Sequence, residues 1–375
     1  MTRIDSLEPD VGTAGGARKP SLLSRLPIVH QLRQSVGLQR GMLVAGLVIT
    51  ALFILTAIFA PLIAPYGYSQ LRGDDGVFGA QQAPGGSHLL GTTVGGYDVL
   101  SRVIWGSQTA LFVIVVAVLL SIFAGVFLGL VSGYFGGWLD RVLVVVCDAV
   151  YAFPSLLLAI VMSIVISGGK SNLVGGVLAA AISITVVFIP QYFRVIRAET
   201  VRIKAEAYVE SARVLGASNF RIMSRHVLRN ATRTLPLIFT LNSSEAILTL
   251  AGLGFLGFGI EPTAASEWGY DLNKSLSDVT SGIWWTSLFP GLAIVLVVMG
   301  ITLVGESLND LADPRLRGRR RVASSSGLVA ETSVVPGGTL DAGPGGLAGL
   351  ETGSGSPTDA PPTNILPLDD SEATR

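Results

Sequence analysis

Long apolar segments restrict the fold of this chain more than any other feature. Six of them are about 20 residues or more in length and nearly free of charge, as a helix that crosses a bilayer must be. They are Met42–Ile63, Thr109–Ser132, Val142–Ile166, Leu173–Phe193, Leu235–Leu256 and Thr286–Leu308. Only 14% of the residues are charged, whereas soluble domains average about 25%. The sequence therefore predicts an all-α integral membrane protein with six transmembrane helices, because one soluble core rarely needs six such segments.

Lysine and arginine lie mostly on one side of the predicted spans. Of the 26 Lys and Arg residues, 22 fall in the N-terminal segment, the second and fourth connections and the tail, and 4 fall on the other side. Basic loops stay in the cytoplasm, so both termini are predicted to be cytoplasmic. The net charge of zero gives no indication of a nucleic-acid partner.

Composition divides the chain into three regions. Residues 1–40 are polar and do not resemble a cleaved signal peptide, which would have a shorter apolar core. Residues 41–317 contain the six spans. Residues 318–375 begin with three arginines and continue with Gly, Ser and Pro, a composition that cannot bury a core. We expect this tail to be disordered, with its arginines at the anionic inner leaflet.

Two longer connections fall on the predicted external side. The first, from Pro65 to about Ser107, is rich in glycine and contains a predicted short helix from Asp98 to Gly106. The second, Gly257–Trp285, is acidic and contains three tryptophans, which are expected to be interfacial anchors.

The third and fourth spans are separated by the short polar link Gly168–Asn172, which predicts a tight turn between antiparallel helices. The link contains Gly-Lys-Ser, the end of a phosphate-binding loop, but Ser163 stands where that motif needs its first glycine. The chain has one cysteine, Cys147, so it has no disulfide framework. We predict no nucleotide, cofactor, metal or catalytic site on this chain, and no enzymatic activity.

The fourth connection, Arg194 to Thr234, is too long for a simple turn. No residue from Ala198 to Leu215 breaks a helix, and the pairs Arg202/Glu206 and Glu210/Arg213 have the spacing of neighbours on a helix surface. These charges alone favour a solvated helix face.

A second helix is predicted after the flexible residue Gly216. Ser218 is expected to be its N-cap and Asn219 its first residue. Phe220, Met223 and Val227 form one apolar stripe on it, and Arg221 and Arg225 lie away from that stripe. The stripe has three candidate surfaces to pack against: the protein itself, the membrane surface or a groove in a partner.

The segment Glu210-Ser211-Ala212-x3-Gly216 resembles the EAA loop by which ABC-importer permeases contact their ATPases. Ser211 replaces the middle alanine of that pattern, and Arg229 stands where the family has a proline. The resemblance implies a coupling site formed by Glu210, Ser211, Ala212, Gly216, Ala217, Ser218, Asn219, Phe220, Arg221, Met223 and Arg225.

Other segments from about Gly41 to Arg317 are similar to the "C" type inner-membrane permeases for dipeptides, oligopeptides and nickel. They are His88–Thr92 with Asp98–Arg102, Gly133–Arg141, Phe153–Ala159, Phe255–Gly259 with Trp268-Gly269, Leu288–Ile294 and Asp313–Leu316. The chain departs from the family pattern at Thr93, Tyr97 and Leu250. These departures concern the external loop and one span, and therefore the substrate rather than the architecture.

The resemblance implies a type I ABC importer that works by alternating access in the plasma (inner) membrane of a prokaryote. The expected partners are a second homologous permease, two cytoplasmic ATPases that bind ATP-Mg, and an external substrate-binding protein. Peptides are the expected cargo, and nickel, haem or another small solute is the alternative. A secondary transporter is disfavoured, because the chain has no paired halves with broken helices and because such a protein needs no docking loop.

Ionisable residues within spans are candidates for the translocation pathway, because an unpaired charge in hydrocarbon costs about 2.5–3.5 kcal/mol. Glu245 lies in mid-span beside Asn242, and Asp148 lies one turn from the cytoplasmic end of its span. For Asp148 a structural ion pair with Arg141 or a neighbouring span is equally consistent with the sequence. Glu306 lies near the inner end of the last span, where its side chain can reach water.

Overall fold

The computed structural model of this chain describes residues 38–74, 76–168 and 174–312. Nearly all of the predicted N-terminal segment 1–40 and the whole predicted tail 318–375 lie outside these residues, so those two predictions stay untested. Most of the described chain is helical. A two-stranded antiparallel ribbon pairs β1 (Arg72–Gly73) with β2 (Gly76–Val77).

The long α-helices of the described chain are mostly apolar. In chain order the α-helices are α1 Leu38–Ile58, α2 Ala60–Ile63, α3 Val99–Phe135, α4 Gly137–Tyr151, α5 Ser155–Ser167, α6 Ala179–Lys204, α7 Ala207–Val214, α8 Asn219–Arg221, α9 Leu228–Ala231, α10 Leu235–Phe255, α11 Trp268–Lys274, α12 Leu276–Thr280 and α13 Trp285–Ala312. Single π-helical turns cover Val174–Leu178 and Ile222–Val227, and a 3₁₀ turn covers Thr232–Thr234.

Five helical stretches of the described chain are long and apolar enough to cross a membrane. They are Arg40–Ile58, Val99–Phe135, Gly176–Lys204, Asn219–Phe255 and Trp285–Asn309. Helices α4 and α5 meet at 98° and make a sixth candidate if the bent pair is one span. The structure is thus mostly helical with five or six candidate spans.

The third predicted span, Val142–Ile166, is not one continuous helix. The helical path breaks after Tyr151 and resumes at Ser155. Pro154 explains the break, because a proline disfavours helical backbone in the residue before it and has no N–H to donate. The prediction of one unbroken helix over this apolar run is therefore wrong.

The helix predicted from Asp98 to Gly106 is not a separate element. It is the first part of α3, which continues without a break for 37 residues. Asp98 caps this helix, since its Oδ2 accepts hydrogen bonds from the Ser101 amide at 2.8 Å and the Ser101 hydroxyl at 2.7 Å. The helix thus begins ten residues before the apolar run, because capping and not hydrophobicity sets its first turn.

The prediction of an unbroken helix from Ala198 to Leu215 is also wrong. Helix α6 ends at Lys204, and Glu206 has extended backbone before α7 begins. The change of direction places Val209 in a buried cluster, where it is fully shielded from solvent. Burial of this side chain offsets the loss of one helical turn.

Helices α3 and α6 form the closest helix pair, and small residues make that approach possible. Gly125, Gly129 and Gly133 lie four residues apart on the face of α3 that meets α6. A Cβ atom at Gly129 would lie 2.7 Å from the backbone oxygen of Phe193. Such stripes of small residues let backbones approach in membrane proteins.

Alanine at Gly129 is expected to destabilise the protein by about 1–3 kcal/mol, because its Cβ would press on backbone that cannot move aside. Alanine at Gly41 is the matched control, since a Cβ there meets nothing within 4 Å. The melting temperatures of the two purified variants measure the difference. Equal melting temperatures would show that the α3–α6 contact is not tight.

The segments on the predicted external side form a layer held together by buried polar contacts. The Arg102 guanidinium donates through Nε to both carboxylate oxygens of Asp271, at 2.7 and 2.9 Å, and through an Nη to the Tyr68 carbonyl at 3.0 Å. Ser266 donates to the Arg102 carbonyl at 2.7 Å. These bonds fix α11 against the first turns of α3.

Burial raises the pKa values of two acidic side chains in this layer. Burial raises the pKa of Asp271, and the Arg102 guanidinium lowers it. Burial also raises the pKa of Glu267 to about 8, although the carboxylate accepts hydrogen bonds from the amides of Gly269 and Tyr270 at 2.7 Å each.

The expectation that all three external tryptophans are interfacial anchors is wrong for Trp268. Its side chain is buried in the main hydrophobic core, and its indole N–H donates to the Val103 carbonyl at 3.1 Å. Trp284 is half exposed, as an anchor requires. Trp285 donates to the Thr92 carbonyl at 3.3 Å and so joins the two external segments.

Candidate functional site

The turn at Gly216 has the geometry of a glycine-terminated helix end. The Gly216 amide donates to the Arg213 carbonyl and the Ala217 amide donates to the Ala212 carbonyl, both at 3.0 Å. The φ angle of Gly216 is +82°, a conformation that side chains with a Cβ rarely adopt. The glycine is therefore a fixed corner and not merely a flexible link.

The second helix begins where the sequence predicted. Ser218 is its N-cap, and its hydroxyl oxygen accepts the Arg221 amide proton at 3.4 Å. Asn219, the first helical residue, accepts a hydrogen bond from the Tyr134 hydroxyl at 2.8 Å. This bond ties the start of the helix to the end of α3.

The predicted apolar stripe is only partly correct. Val227 is fully buried and Met223 packs against the same cluster, but Phe220 is 79% exposed. A π-helical turn covers Ile222–Val227, so the buried face is made by Ile222 and Val227, five residues apart. The wider turn rotates Phe220 away from the protein.

The loop packs firmly on the ends of two long helices. Its buried side chains share one hydrophobic cluster with residues of α3 and α6. The fully or nearly fully buried members are Leu130, Tyr134, Ile196, Ile203, Val209, Ile222, Val227 and Ala231. Lys204 adds a polar contact, since its ammonium donates to the Tyr134 carbonyl and lies over the Tyr134 ring. The loop is thus in direct contact with α3 and α6.

An exposed apolar surface remains around the Gly216 corner. It consists of Val214, Leu215 and Phe220, which are 83%, 87% and 79% exposed. We call these three residues the loop surface. Val214 and Leu215 were missed by the sequence analysis because they occupy the variable positions of the motif, and only the corner geometry shows that they point outward.

Exposed arginines surround the loop surface. Arg213, Arg221, Arg225 and Arg229 are all exposed, and within the part of the chain that the structure describes none lies within 4 Å of a carboxylate. The expected Glu210/Arg213 pair is therefore absent there, whereas Arg202 and Glu206 do pair at 3.7 Å. The loop surface is apolar, and the segments beside it in the sequence carry these exposed arginines.

The remaining motif residues lie on the outer side of α7. Glu210 and Ser211 are exposed, and Ala212 and Ala217 are half-buried. The Ser211 hydroxyl donates to the Ala207 carbonyl at 2.9 Å, so serine at this position leaves the helix intact. Arg229 lies in helix α9, and the helical path continues from Asn219 to Phe255. The residue that replaces the family's proline therefore extends the helix.

The three pathway candidates lie in different surroundings. Glu245 is half-buried and lines a cavity of about 270 Å³ with Gln191 of α6 and Ser155 of α5. Asp148 forms an ion pair with Arg194 at 3.2 Å, so it pairs with a neighbouring span and not with Arg141. Asn242 is only 3% exposed, and neither its amide nitrogen nor the buried hydroxyl of Tyr192 has a hydrogen-bond partner among the described residues.

These features define a helical protein with five or six candidate spans and a loop packed on the ends of two long helices. Residues 125–318 match the family described as binding-protein-dependent transport system inner membrane component. Residues 38–84 match the N-terminal transmembrane domain of oligopeptide transport permease C. The chain belongs to the family of binding-protein-dependent transport system inner membrane components.

Several curated relatives are similar over nearly their whole length. A glutathione transport system permease protein GsiD of Pectobacterium atrosepticum is 32% identical over 314 residues, which is 80% of this chain and 98% of the relative. The GsiD of Shigella boydii is 33% identical over 310 residues, with the same coverage of 80% and 98%. A dipeptide transport system permease protein DppC of Alkalihalophilus pseudofirmus is 34% identical over 274 residues, which is 73% of this chain and 86% of the relative.

The family assignment confirms the recognised resemblance to ABC-importer permeases. The chain is a membrane-embedded transport component and not an enzyme, because the ATPase of such a system is a separate subunit. The matched region contains the loop surface, the Gly216 corner and the cavity beside Glu245.

Proposed function

We propose that this chain is a permease subunit of an ATP-driven importer for peptides, and that the loop surface couples it to a cytoplasmic ATPase. The observation that carries the proposal is the exposed apolar surface of Val214, Leu215 and Phe220 on a loop whose other face is fully packed. A loop with a buried inner face and an exposed outer face can bind a partner on its outer side while it stays packed on α3 and α6.

The three surfaces that the sequence left open are not equally supported. The protein's own packing is satisfied by Ile222, Val227 and Ala231, which leaves the loop surface uncovered. A partner groove with an apolar floor and an acidic rim would cover both the loop surface and the surrounding arginines, and helices commonly dock into such grooves. ATP and Mg²⁺ would be bound by that partner.

The proposed topology has six spans with both termini in the cytoplasm of a prokaryotic cell. It counts the bent pair α4–α5 as one span, which crosses the inner membrane once. The support comes from the charge distribution, with 22 of 26 Lys and Arg residues on one side. In this orientation the loop surface faces the cytoplasm, where ATP is present.

Peptides are the proposed cargo because the similar proteins are named as glutathione and dipeptide permeases. The names of these relatives favour a peptide over nickel. Haem and other small solutes remain alternatives for which no described residue gives specific support. A second permease would form the other half of the pathway, and an external binding protein would deliver the peptide.

Co-purification tests the proposed assembly. A tagged copy of this chain, extracted gently from its native membrane, is expected to bring one homologous permease and two ATPase subunits. Intact-mass measurement of the complex gives the stoichiometry. Recovery of the chain without any ATPase would contradict the proposal, and recovery with an unrelated membrane protein would indicate another class of transporter.

A further inference from the structure

The bend between α4 and α5 exposes non-helical backbone in the middle of a candidate span. Ala152, Phe153 and Pro154 are all exposed and lie outside any helix. The amides of Ala152 and Phe153 donate within the turn, but their carbonyl groups accept no backbone hydrogen bond among the described residues. Such carbonyl groups are not found against lipid, because each costs several kcal/mol in hydrocarbon. This face of the protein must therefore contact water or another protein.

Charged side chains lie on the same face. The Asp148 carboxylate and the Arg194 guanidinium are 3.2 Å apart, and about half of each side chain is exposed. The guanidinium also lies 4.1 Å from the centre of the Tyr151 ring, next to the bend. Asp148 lies one turn from the cytoplasmic end of its predicted span and Arg194 begins the predicted cytoplasmic connection, so this ion pair marks the cytoplasmic edge of the face.

The cavity of about 270 Å³ opens beside the bend. Its walls include Tyr151, Ser155 of α5, Gln191 of α6 and Glu245 of α10. Glu245 is the eleventh of the 21 residues of α10, so it lies roughly 15 Å from either end of that helix. The cavity thus extends from mid-span, at Glu245, toward the cytoplasmic end of the fourth predicted span, where Gln191 lies.

The polar groups of this cavity are not engaged elsewhere. In residues 38–74, 76–168 and 174–312, no hydrogen bond or ion pair joins the side chain of Glu245, Gln191 or Ser155 to another group. Asp148, by contrast, is already neutralised by Arg194. The Glu245 carboxylate is the acidic group of this face that still lacks a counter-charge, so the cavity has a net negative character.

We propose that this cavity binds a positively charged nitrogen group of the transported molecule, the terminal ammonium of a peptide. The Glu245 carboxylate would accept its charge-assisted hydrogen bonds, and the Gln191 carbonyl oxygen and the Ser155 hydroxyl would accept further bonds. The volume suits one end of a peptide rather than the whole molecule. This inference rests on the proposed import function, and it adds a named site and a charge preference to it.

Charge-selective thiol labelling tests the site without knowledge of the cargo. The sole cysteine, Cys147, is first replaced by serine, and Ser155→Cys then places a near-isosteric thiol in the cavity. The assembled transporter is treated with a cationic reagent, 2-(trimethylammonium)ethyl methanethiosulfonate, or an anionic one, 2-sulfonatoethyl methanethiosulfonate. The ratio of the two labelling rates is normalised to that of Ser87→Cys, an exposed position on the predicted external side.

The cation-to-anion ratio at Ser155→Cys is expected to exceed that at Ser87→Cys by about tenfold or more, because a charged cleft concentrates ions of opposite sign. Adding Glu245→Gln should bring the ratio close to that of Ser87→Cys. Glu306→Gln is the matched control, since it removes another exposed acid from a span, and it should leave the ratio unchanged.

Three results would overturn the inference. Labelling by neither reagent would show that the cavity is closed, for example by a cationic side chain of the second permease. A normalised ratio near one would show that no negative charge acts there, and this result can be read even if Glu245→Gln does not assemble. A high ratio that survives Glu245→Gln would assign the charge to another group. The labelling requires neither ATP nor cargo, so its failure is separable from a failure of the proposed import function, which co-purification tests.

Discussion

Methionine in place of Arg102 is expected to destabilise the protein by about 3–5 kcal/mol, because it leaves the buried Asp271 carboxylate without its partner. Arg102 is 1% exposed and Asp271 is 7% exposed. The guanidinium also holds the Tyr68 carbonyl, so its loss frees the first external segment from α3. Thermal unfolding of the purified complex measures the effect as a lower melting temperature.

The destabilisation by Arg102→Met should depend on pH. Burial raises the pKa of Asp271 and Arg102 lowers it, so without Arg102 only the raising effect remains. A carboxyl group whose pKa is raised by folding contributes stability below its unfolded pKa and loses it as the pH rises. The difference in melting temperature from the wild type should therefore grow as the pH rises above the ordinary pKa of an aspartate, about 4.

Arg202→Met is the matched control for this prediction. Arg202 pairs with Glu199 at 2.8 Å, but 63% of its side chain is exposed. An exposed ion pair contributes little to stability, so no measurable change is expected. Equal shifts for Arg102→Met and Arg202→Met would show that the buried pair does not hold the external layer.

Aspartate in place of Phe220 is expected to remove most of the ATPase stimulation that the loaded binding protein produces in the assembled transporter. The side chain is 79% exposed and belongs to no buried cluster of the described residues, so the substitution should leave the fold intact. Loss of an aromatic anchor at an interface costs about 2 kcal/mol or more, which corresponds to roughly 30-fold weaker docking.

The control for Phe220→Asp is Phe220→Leu, which keeps the position apolar. It should retain most of the stimulation, and both variants should melt at the temperature of the wild type. If Phe220→Asp responds to the loaded binding protein as the wild type does, then the loop surface is not the coupling contact.

The sequence predicted the long helices well because membrane spans depend on a local property, a sufficient length of apolar chain. The runs Leu235–Leu256 and Thr286–Leu308 agree with α10 and α13 within a few residues. The start of α3 was predicted within one residue, but its continuity with the following span was missed, because its first turns are polar and are stabilised by the Asp98 cap and the Arg102–Asp271 pair. The cap is local and the Arg102–Asp271 pair joins residues far apart in the chain, but both are polar contacts, and hydropathy does not register them.

The loop shows the same division between local and tertiary causes. Gly216 and Ser218 could be assigned because a glycine corner and an N-cap each depend on a few neighbouring residues. The π-helical turn could not be predicted from its neighbours. It places both Ile222 and Val227 in a cluster with Tyr134, which is distant in the sequence. The outward position of Phe220 follows from that turn, and so do the limits of the loop surface.

The cavity was predicted only in part. Glu245 was recognisable as a charge in mid-span, but Gln191 carries no charge and attracted no attention. Phe153-Pro154 contained the signal for the bend, and the apolar run on both sides concealed it. These residues form a cavity only when α5, α6 and α10 pack together in the fold.

Photo-crosslinking at Phe220 is the most direct test of the claim that the loop surface docks on an ATPase. A benzophenone amino acid at this position, activated by light in intact membranes, reacts with whatever covers the side chain. The account predicts an adduct with the ATPase subunit, and none from a benzophenone at Trp284, which is half exposed on the predicted external side. Adducts only with lipid or with this chain itself would contradict it.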